Sequence, residues 1–499
     1  MMSTDSPELP QVQMTPRVTS WSARRLRLPN LALRFSERRL LLVLFDLLML
    51  NAAFFFALII RSNSALTLAV IRERLPWFVL LSALWIAVGI VLDIYDLARA
   101  ASILPSLWFT SSATGLTGLI YIFIPYVTPT FPRHRMEALL FPLLALAGIG
   151  AWRIFYAQVF VQPIFHQRAL VVGNSWIGRT LAGVIARGGA DGESRYRAVG
   201  YHLLGFVGDN SDSVWSVESI PFLGTSGDLV RLARELRPDE LVMAVADTTQ
   251  IHGELFQAIL DCREMGISIT TMESLYERLM GRVPLEPSLS QLSIALPINH
   301  SSTHRFYLVF RRLLDILVSL LGCLLIMVIA PFVWLANRLS SPGSLFYFQR
   351  RIGKSGRPFN LVKFRSMIVD AERNTGPVWA SESDDRITPV GRLLRRTRLD
   401  EVPQFWNVLM GEMSLIGPRP ERPEMVAGLT RQIPFYRARH AIRPGITGWA
   451  QVKYRYGASI TDGRLKLQYD LYYIKHQGPY LDLLVLLRTI EVVLGLKGR

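Results

Sequence analysis

Residues 306–339 have the sequence FYLVFRRLLDILVSLLGCLLIMVIAPFVWLANRL, a stretch longer than the roughly 20 apolar residues of a spanning helix. Arg311 and Arg312 lie near its start, Arg338 lies near its end, and Pro331 lies inside it. A helix that spans the membrane would place everything after residue 340 outside the cytoplasm. A helix bent at Pro331 would instead enter one leaflet and return. The basic residues at both ends favour the re-entrant helix, because arginine is enriched on the cytoplasmic side.

Four further apolar runs precede this stretch. Each has close to the length of a spanning helix, and they lie at about 40–60, 77–97, 104–126 and 138–160. Basic residues before the first run, with Arg153 and Arg168 near the end of the fourth, place both ends of the set in the cytoplasm. Arg72 and Arg74 in the first loop oppose this topology. A soluble core would rarely give four such runs in succession, so the sequence predicts a four-helix transmembrane domain over 39–162.

Composition and charge narrow the class of partner. Half of the 499 residues are hydrophobic, and 55 basic against 39 acidic residues give a net charge of +16. This combination favours anionic lipid headgroups or phosphorylated substrates over nucleic acid. Residues 1–38 are polar and basic and predict a flexible cytoplasmic tail. With only Cys262 and Cys323, the sequence implies no disulfide framework or zinc cluster. His300 and His304 have ligand-like spacing, but a solvated linker explains them better.

Residues 163–295 change to a soluble pattern of alternating strands and helices. Candidate strands are Arg168–Gly173, Leu203–Val207, Leu241–Ala246 and Ile267–Thr271, with helix-like stretches at 226–236 and 254–265. This alternation predicts a parallel sheet in a Rossmann-like α/β module.

The turn after the first of these strands matches a dinucleotide-binding loop only in part. Gly173 and Gly178 match the first and last glycines of G-x-G-x-x-G, but the middle glycine, which lets backbone approach a pyrophosphate, is Ser175. Asp209 lies further along the chain than the expected acidic residue. A regulatory or assembly module is therefore favoured. The alternatives are a membrane-anchored nucleotide-sugar oxidoreductase or epimerase, and a non-enzymatic scaffold.

An acidic pair stands out after residue 340. Asp400 and Glu401 are followed by Pro403, a residue tolerated in the first turn of a helix, so the pair is expected at a helix N-terminus. The free N–H groups of such a terminus attract anions, and an acidic pair there can hold a divalent cation. An apolar stripe at helical spacing is predicted to follow, formed by Val402, Trp406, Leu409 and Met413.

Basic groups surround this acidic pair in the sequence. Arginine forks bind phosphate bidentately, and four arginines lie just upstream, at Arg392, Arg395, Arg396 and Arg398. Two rigid turns, Gly417–Pro420 and Arg443–Gly448, each present a further arginine. Phosphoryl chemistry is therefore favoured over ordinary helix capping and plain surface turns.

Five motifs occur in order in this part of the chain: Lys363–Met367, Leu399–Gln404, Asn407–Leu409, Met413–Pro420 and Arg443–Val452. Through them, residues 305–499 resemble the bacterial sugar transferase family, the monotopic phosphoglycosyl transferases. The preceding spans and Rossmann-like module are similar to the long members, which start exopolysaccharide or O-antigen (lipopolysaccharide) synthesis. The resemblance implies a mostly α-helical catalytic domain with a re-entrant helix at 306–339, held on the cytoplasmic face of a bacterial inner membrane. The family often has Ser-Pro at the helix break, where this chain has Ala330-Pro331, so the depth of that helix stays open.

The resemblance also implies roles for individual residues. Asp400 would be the nucleophile that attacks a UDP-sugar, and Glu401 would help to hold Mg²⁺. The phosphate-binding residues would be Lys363, Arg395, Arg419 and Arg443. UDP-glucose is the first expected donor and UDP-galactose the second. Undecaprenyl phosphate is the expected acceptor, and a homodimer is the expected assembly.

Overall fold

The computed structural model describes residues 35–62, 68–124, 135–162, 165–173, 200–208, 221–244, 252–285, 303–369, 371, 385–454 and 459–494. Several predicted features lie outside these ranges, namely the tail up to residue 34, the loop residues Ser175 and Gly178, Asp209 and His300.

The first part of the chain is helical. Its helices are α1 (Phe35–Ser62), α2 (Leu68–Val91), the short α3 (Leu97–Ala100), α4 (Ile103–Ile122) and α5 (Arg135–Val159). Within the described ranges, four helical segments are long and apolar enough to cross a membrane: 36–60, 74–91, 139–159 and 306–340. Three of these segments coincide with predicted apolar runs, and the fourth is the stretch at 306–339.

The remaining predicted run, at 104–126, contains α4, which is not one of these four segments. Its buried face carries the hydroxyl residues Ser106, Thr110, Thr114 and Thr117. The Thr110 hydroxyl donates to the carbonyl oxygen of Ser106 at 2.7 Å, so the helix itself satisfies this polar group. Because α4 packs against α2 and α5, it belongs to the same helical bundle.

A buried ion pair lies in the core of this bundle. Arg153 on α5 donates from Nε to Oδ1 of Asp46 on α1 at 3.1 Å, and from Nη1 to the carbonyl oxygen of Ile94 at 2.8 Å. The core around it is apolar and includes Leu42 and Trp85. A buried charge costs several kcal/mol unless it is paired, so this pair fixes how α1 and α5 pack against each other.

The α/β module follows the bundle. Its elements are β1 (Gln167–Val172), β2 (Tyr201–Val207), β3 (Phe222–Gly224), α6 (Leu229–Leu236), β4 (Glu240–Met243), α7 (Gly253–Glu264), β5 (Ser268–Thr271) and α8 (Met272–Met280). The five strands form a parallel sheet in the order β3-β2-β1-β4-β5, which confirms the predicted parallel α/β architecture. Separate apolar clusters cover its two faces.

The last part of the chain begins with the long α9 (Thr303–Ser340). It continues with β6 (Phe346–Ile352), β7 (Pro358–Phe364), α10 (Pro389–Arg396), α11 (Gln404–Met410), β8 (Ser414–Ile416), α12 (Pro423–Gln432), β9 (Gly445–Thr447), α13 (Trp449–Lys453), α14 (Ile460–Lys475) and α15 (Pro479–Leu494). Helices dominate, with an antiparallel β6–β7 hairpin and a parallel β8–β9 pair.

Helix α9 is continuous through Pro331 and contacts this domain along much of its length. Gly322 lies against the ring of Phe405 on α11, where a side chain would clash. Further along, Val333 packs in a small apolar cluster of the domain, and Asn337 Nδ2 donates to the carbonyl oxygen of Arg365 at 3.3 Å. The opposite face of α9 is a long row of exposed apolar side chains.

The α/β module is joined to the last domain through the segment after β5. Glu277 on α8 is buried and accepts from Lys475 Nζ at 2.8 Å, while His476 Nε2 lies 2.9 Å away. Trp449 Nε1 donates to the carbonyl oxygen of Gly281 at 2.7 Å. Two apolar residues just beyond, at 283 and 285, lie in one core cluster with residues of α14.

The helical bundle also contacts the last domain. Arg488 on α15 forms an ion pair with Asp93, in the loop between α2 and α3, and its guanidinium lies over the ring of Trp449. Helix α15 itself packs against α2. It buries Leu481 and Val485 in the domain core.

Candidate active site

The acidic pair lies in a short turn between α10 and α11. Arg398 has a left-handed backbone conformation (φ 61°), and a single 3-10 turn then covers Leu399–Glu401. Pro403 leads directly into α11, so the pair lies near the N-terminus of that helix but before its first turn. Asp400 is buried, with 7% of its surface exposed.

The predicted apolar stripe on the following helix is only partly present. Gly411 adopts a left-handed conformation (φ 83°) and ends α11 at Met410, so Met413 is buried beyond the helix rather than on it. Trp406 is half exposed, and the buried face is formed by Asn407 and Val408 instead. The stripe prediction was wrong here because a helix of this length makes fewer than three turns.

Asn407 fixes α11 to strand β7. Its Oδ1 accepts from the backbone N–H of Val362 at 3.0 Å, and its Nδ2 donates to the carbonyl oxygen of Asn360 at 2.8 Å. The strand therefore cannot slide relative to the helix, and Lys363 is held beside the acidic turn. The sequence motif contains Asn407, but sequence reasoning gave it no role.

Glu401 is the centre of a cationic cluster. Its Oε1 lies 3.0 Å from Lys363 Nζ and 2.7 Å from Arg419 Nη2, and its Oε2 lies 3.5 Å from Arg398 Nη1. Burial alone would raise the pKa of Glu401, but Arg419, Lys363 and Arg398 hold that pKa well below its usual range. Glu401 is therefore an anion at neutral pH.

Asp400 has the opposite electrostatic character. Burial raises its pKa, the negative charge of Glu401 adds to the effect, and Lys363 and Arg395 only partly oppose it. A carboxylate with a raised pKa is more basic than an ordinary one. Two adjacent carboxyls with pKa values shifted apart can take separate chemical roles.

Arg395 reaches this site because α10 packs closely on the backbone near residue 366. Gly391 allows that approach, since a Cβ there would lie 1.9 Å from the carbonyl oxygen of Ser366. Thr388 caps the N-terminus of this helix, because its hydroxyl accepts from the Gly391 N–H at 2.9 Å. Arg395 Nε then donates to Ser366 Oγ at 3.0 Å, with its charge near Asp400.

Arg443 lies elsewhere. Its side chain is exposed, and its guanidinium is near Gly411 and the guanidinium of Arg312, at the C-terminal end of α11. Arg312 donates there to the carbonyl oxygen of Val408 at 2.7 Å. The structure thus brings Lys363, Arg395 and Arg419 to the acidic pair but places Arg443 at the other end of α11. It also adds Arg398, which the sequence showed only as one of four upstream arginines.

The residues around Asp400 and Glu401 suit a divalent cation only if substrate oxygens complete its shell. Within the described ranges, no group of three or more His, Cys, Asp or Glu residues could hold a metal ion. Mg²⁺ is commonly bound by one or two carboxylates together with substrate phosphates and water. The donor set of this turn fits that pattern.

Comparison with known proteins identifies the family. The family model for bacterial sugar transferase matches residues 306–496. A UDP-N-acetylgalactosamine-undecaprenyl-phosphate N-acetylgalactosaminephosphotransferase of Aeromonas hydrophila is 36% identical over 307 residues, which are 60% of this chain and 68% of the relative. The chain belongs to the bacterial sugar transferase family. The predicted family and enzyme class, phosphoglycosyl transferase, are thus confirmed.

Two other relatives show how the family match is distributed. A UDP-glucose:undecaprenyl-phosphate glucose-1-phosphate transferase of Xanthomonas campestris pv. campestris is 30% identical over 308 residues, 61% of this chain and 63% of the relative. An exopolysaccharide production protein of Rhizobium leguminosarum bv. phaseoli is 38% identical over 188 residues, 37% of this chain but 94% of the relative. The chain thus spans about two thirds of the length of the first two relatives. The third relative consists almost entirely of the matched domain.

Proposed function

We propose that this sugar transferase moves a sugar 1-phosphate from a UDP-sugar to undecaprenyl phosphate and releases UMP, as the first membrane step of exopolysaccharide or O-antigen synthesis. The observation that carries the proposal is the pair of adjacent carboxyls with opposite pKa shifts, surrounded by Lys363, Arg395, Arg398 and Arg419. The substrates follow those in the relatives' names.

The reaction proceeds in two displacements. In the first, a carboxylate oxygen of Asp400 attacks the β-phosphorus of the UDP-sugar, and the bond to the bridging oxygen breaks so that UMP leaves. The sugar phosphate is then held as an acyl phosphate. In the second, a phosphate oxygen of undecaprenyl phosphate attacks the same phosphorus and frees the Asp400 carboxylate. Burial of Asp400 makes the carboxylate more basic and excludes water from the intermediate.

The other residues bind and orient charge. Lys363 and Arg419 present N–H donors on the same side of Glu401, where the diphosphate of the donor would bind between them. Arg395 faces Asp400 and would bind the phosphoryl oxygens during transfer. Glu401, with oxygens from the substrate, would hold Mg²⁺, which supplies charge neutralisation on the phosphoryl group when bound. Arg443 is a candidate for a more distant part of the substrate.

The proposed site lies at the cytoplasmic face, with α9 as a re-entrant helix. Contacts with the same domain at both Arg312 and Asn337 support this topology, because a helix that crossed the bilayer would carry its second half away from that domain. The ion pair between Arg488 and Asp93 links the domain to the loop that the positive-inside pattern places in the cytoplasm. A reporter fused after residue 499 should register the cytoplasm, and a periplasmic signal would contradict the topology.

The donor sugar is proposed as UDP-glucose. The relatives' names divide between glucose and N-acetylgalactosamine, so the test is UMP release from a panel of UDP-glucose, UDP-galactose and UDP-N-acetylgalactosamine with undecaprenyl phosphate. UMP release from none of the panel would refute the proposed reaction. NAD reduction instead would support the oxidoreductase alternative. The homodimer stays a prediction that mass measurement in detergent can test.

The covalent step has its own experiment. Wild-type protein incubated with a donor labelled in the sugar phosphate, without lipid acceptor, should become labelled, and the Asp400→Asn variant should not. Adding undecaprenyl phosphate should release the label as lipid product. An unlabelled wild type that requires both substrates to be bound together would instead indicate direct transfer, with Asp400 as a metal ligand or base.

A further inference from the structure

The turn that carries Arg419 is held through its backbone rather than through its side chains alone. Two residues of the turn, Pro418 and Pro420, have no N–H to donate, so besides the Gly417 N–H, which donates to the carbonyl oxygen of Thr447 at 2.8 Å, its carbonyl oxygens make the backbone contacts. Four successive carbonyls each accept a hydrogen bond: Pro418 from Gly445 N (2.9 Å), Arg419 from Arg439 Nη2 (3.0 Å), Pro420 from Arg351 Nη1 (3.0 Å) and Glu421 from Ile352 N (2.9 Å). Two of the four donors are therefore side chains of arginines distant in the sequence.

Arg439 is the more deeply buried of these two donors, with 4% of its surface exposed. Its Nη2 also lies 2.8 Å from Oδ2 of Asp470 on α14, and its Nη1 donates to the hydroxyl of Tyr436 at 2.6 Å. One planar guanidinium thus connects α14, the segment around residue 436 and the carbonyl of Arg419. A lysine ammonium could not meet these directions together, because it is a compact point charge.

We infer that Arg439 is a positioning residue for the transferase site: by holding the backbone of Arg419 it keeps the Arg419 guanidinium against Glu401. The inference rests on the proposed function. The chain of contacts is short, since Arg439 binds the carbonyl of the residue whose Nη2 lies 2.7 Å from Glu401 Oε1. No described contact joins Arg439 to the acidic pair directly, so its influence passes through Arg419.

The expected effect follows from the charges around Glu401. Lys363 on β7 and Arg398 in the acidic turn face it directly, with Asp400 adjacent and Arg395 on α10 nearby. If the turn loosens, Glu401 loses part of the stabilisation from Arg419 but keeps that from the other cations. The Arg419 guanidinium would then be held less firmly at the position where the donor phosphates are proposed to bind.

The test compares Arg439→Lys and Arg439→Met with the wild type in UMP release. We expect kcat/KM to fall about tenfold or more in Arg439→Met, and the conservative variant Arg439→Lys to recover part of that loss. Arg365→Lys is the matched control. Arg365 is also buried and donates to a backbone carbonyl, that of Ser344 at 2.8 Å, but it does not touch the turn. Arg365→Lys should lower the unfolding temperature but change kcat/KM less than Arg439→Lys does.

A double-mutant cycle separates positioning from general destabilisation. If Arg439 acts through Arg419, then Arg439→Lys should change kcat/KM far less in an Arg419→Met background than in the wild type. Equal losses in both backgrounds, or a loss of kcat/KM in Arg439→Lys no larger than that in Arg365→Lys, would overturn the inference. If Arg439→Met does not fold, the kcat/KM of Arg439→Lys and the double-mutant cycle still test the inference. A wild type that releases no UMP refutes the proposed function instead, so the two failures are distinguishable.

Discussion

Neutralising Asp400 and neutralising Glu401 should have different effects on the stability of the fold. Glu401→Gln removes the anion shared by Lys363, Arg398 and Arg419, whose side chains are 16%, 21% and 27% exposed. Breaking a fully buried ion pair costs about 3–5 kcal/mol, and partial exposure of the three cations reduces that figure. We therefore expect the free energy of unfolding to fall by about 2–4 kcal/mol. For a domain of this size the unfolding temperature should drop by roughly 5–15 °C.

Asp400→Asn should have no such cost. A carboxyl whose folded pKa is raised binds its proton more tightly in the folded than in the unfolded protein, so its ionisation destabilises the fold. Stability from this group falls as pH rises from the usual Asp value of about 3.9 through the raised pKa. Asp400→Asn should therefore unfold at the same or a higher temperature than the wild type near neutral pH, while turnover falls to background.

The pH dependence of Glu401 has the other sign. Because its folded pKa is lowered, its stabilising contribution is present above the usual Glu value of about 4.3 and is lost as pH falls through the lowered pKa. The penalty of Glu401→Gln should thus shrink only in acid. Unfolding of the detergent-solubilised chain, followed by tryptophan fluorescence from pH 3 to 8, measures both effects. Glu424→Gln, at an exposed carboxylate on α12, is the control and should change the unfolding temperature little at any pH. A similar loss of stability in Asp400→Asn and Glu401→Gln would refute the assignment of opposite pKa shifts.

Three further predictions concern the other parts of the chain. Fragments 282–499 and 301–499 should both release UMP. The longer fragment should have an unfolding temperature several degrees higher, because it keeps Val283 and Leu285, each of which stabilises the core by about 1.5–3 kcal/mol when buried. Equal unfolding temperatures would contradict this prediction. Trp449→Phe removes the donor to Gly281 and should lower the unfolding temperature and increase protease cleavage between the domains, with about 1–3 kcal/mol lost. Arg153→Met leaves the buried Asp46 carboxylate without its cation and should destabilise the helical bundle by about 3–5 kcal/mol. Less protein should then be recovered from the membrane, but the KM of the inserted protein should not change.

The long apolar helices and four of the five strands of the parallel sheet could be predicted because their signals are local. Apolar runs and short β-branched stretches mark them directly, and the predicted strand at 241–246 overlaps β4 (Glu240–Met243), although its residues 245–246 lie outside the described ranges. Strand β3 was missed because three residues, Phe222–Gly224, are too few to show a pattern. Hydropathy alone could not show that the hydroxyl residues of α4 lie on its buried face rather than on an exposed one.

The site was predicted as a set of residue types but not as an arrangement. Lys363 and Arg419 come from separate motifs and meet at Glu401 because β7 and the turn after β8 are both held against α11. Arg443 belongs to an equally prominent motif, yet its main chain leads into β9 and its side chain points to the far end of α11. A motif shows which residues the family shares; only the packing shows which of them meet.

The separation of roles between Asp400 and Glu401 is also a consequence of local geometry. Successive residues of a 3-10 turn project about 120° apart, so two neighbours in that turn cannot share one environment. The left-handed residue Arg398 sets the start of the turn, which directs Asp400 inward, where burial raises its pKa, and Glu401 toward the cations. In a regular strand the pair would face opposite sides, and in the middle of a helix it would lack this cation cluster. The fold thus raises the pKa of one carboxyl of a sequential pair and keeps the other ionised beside it.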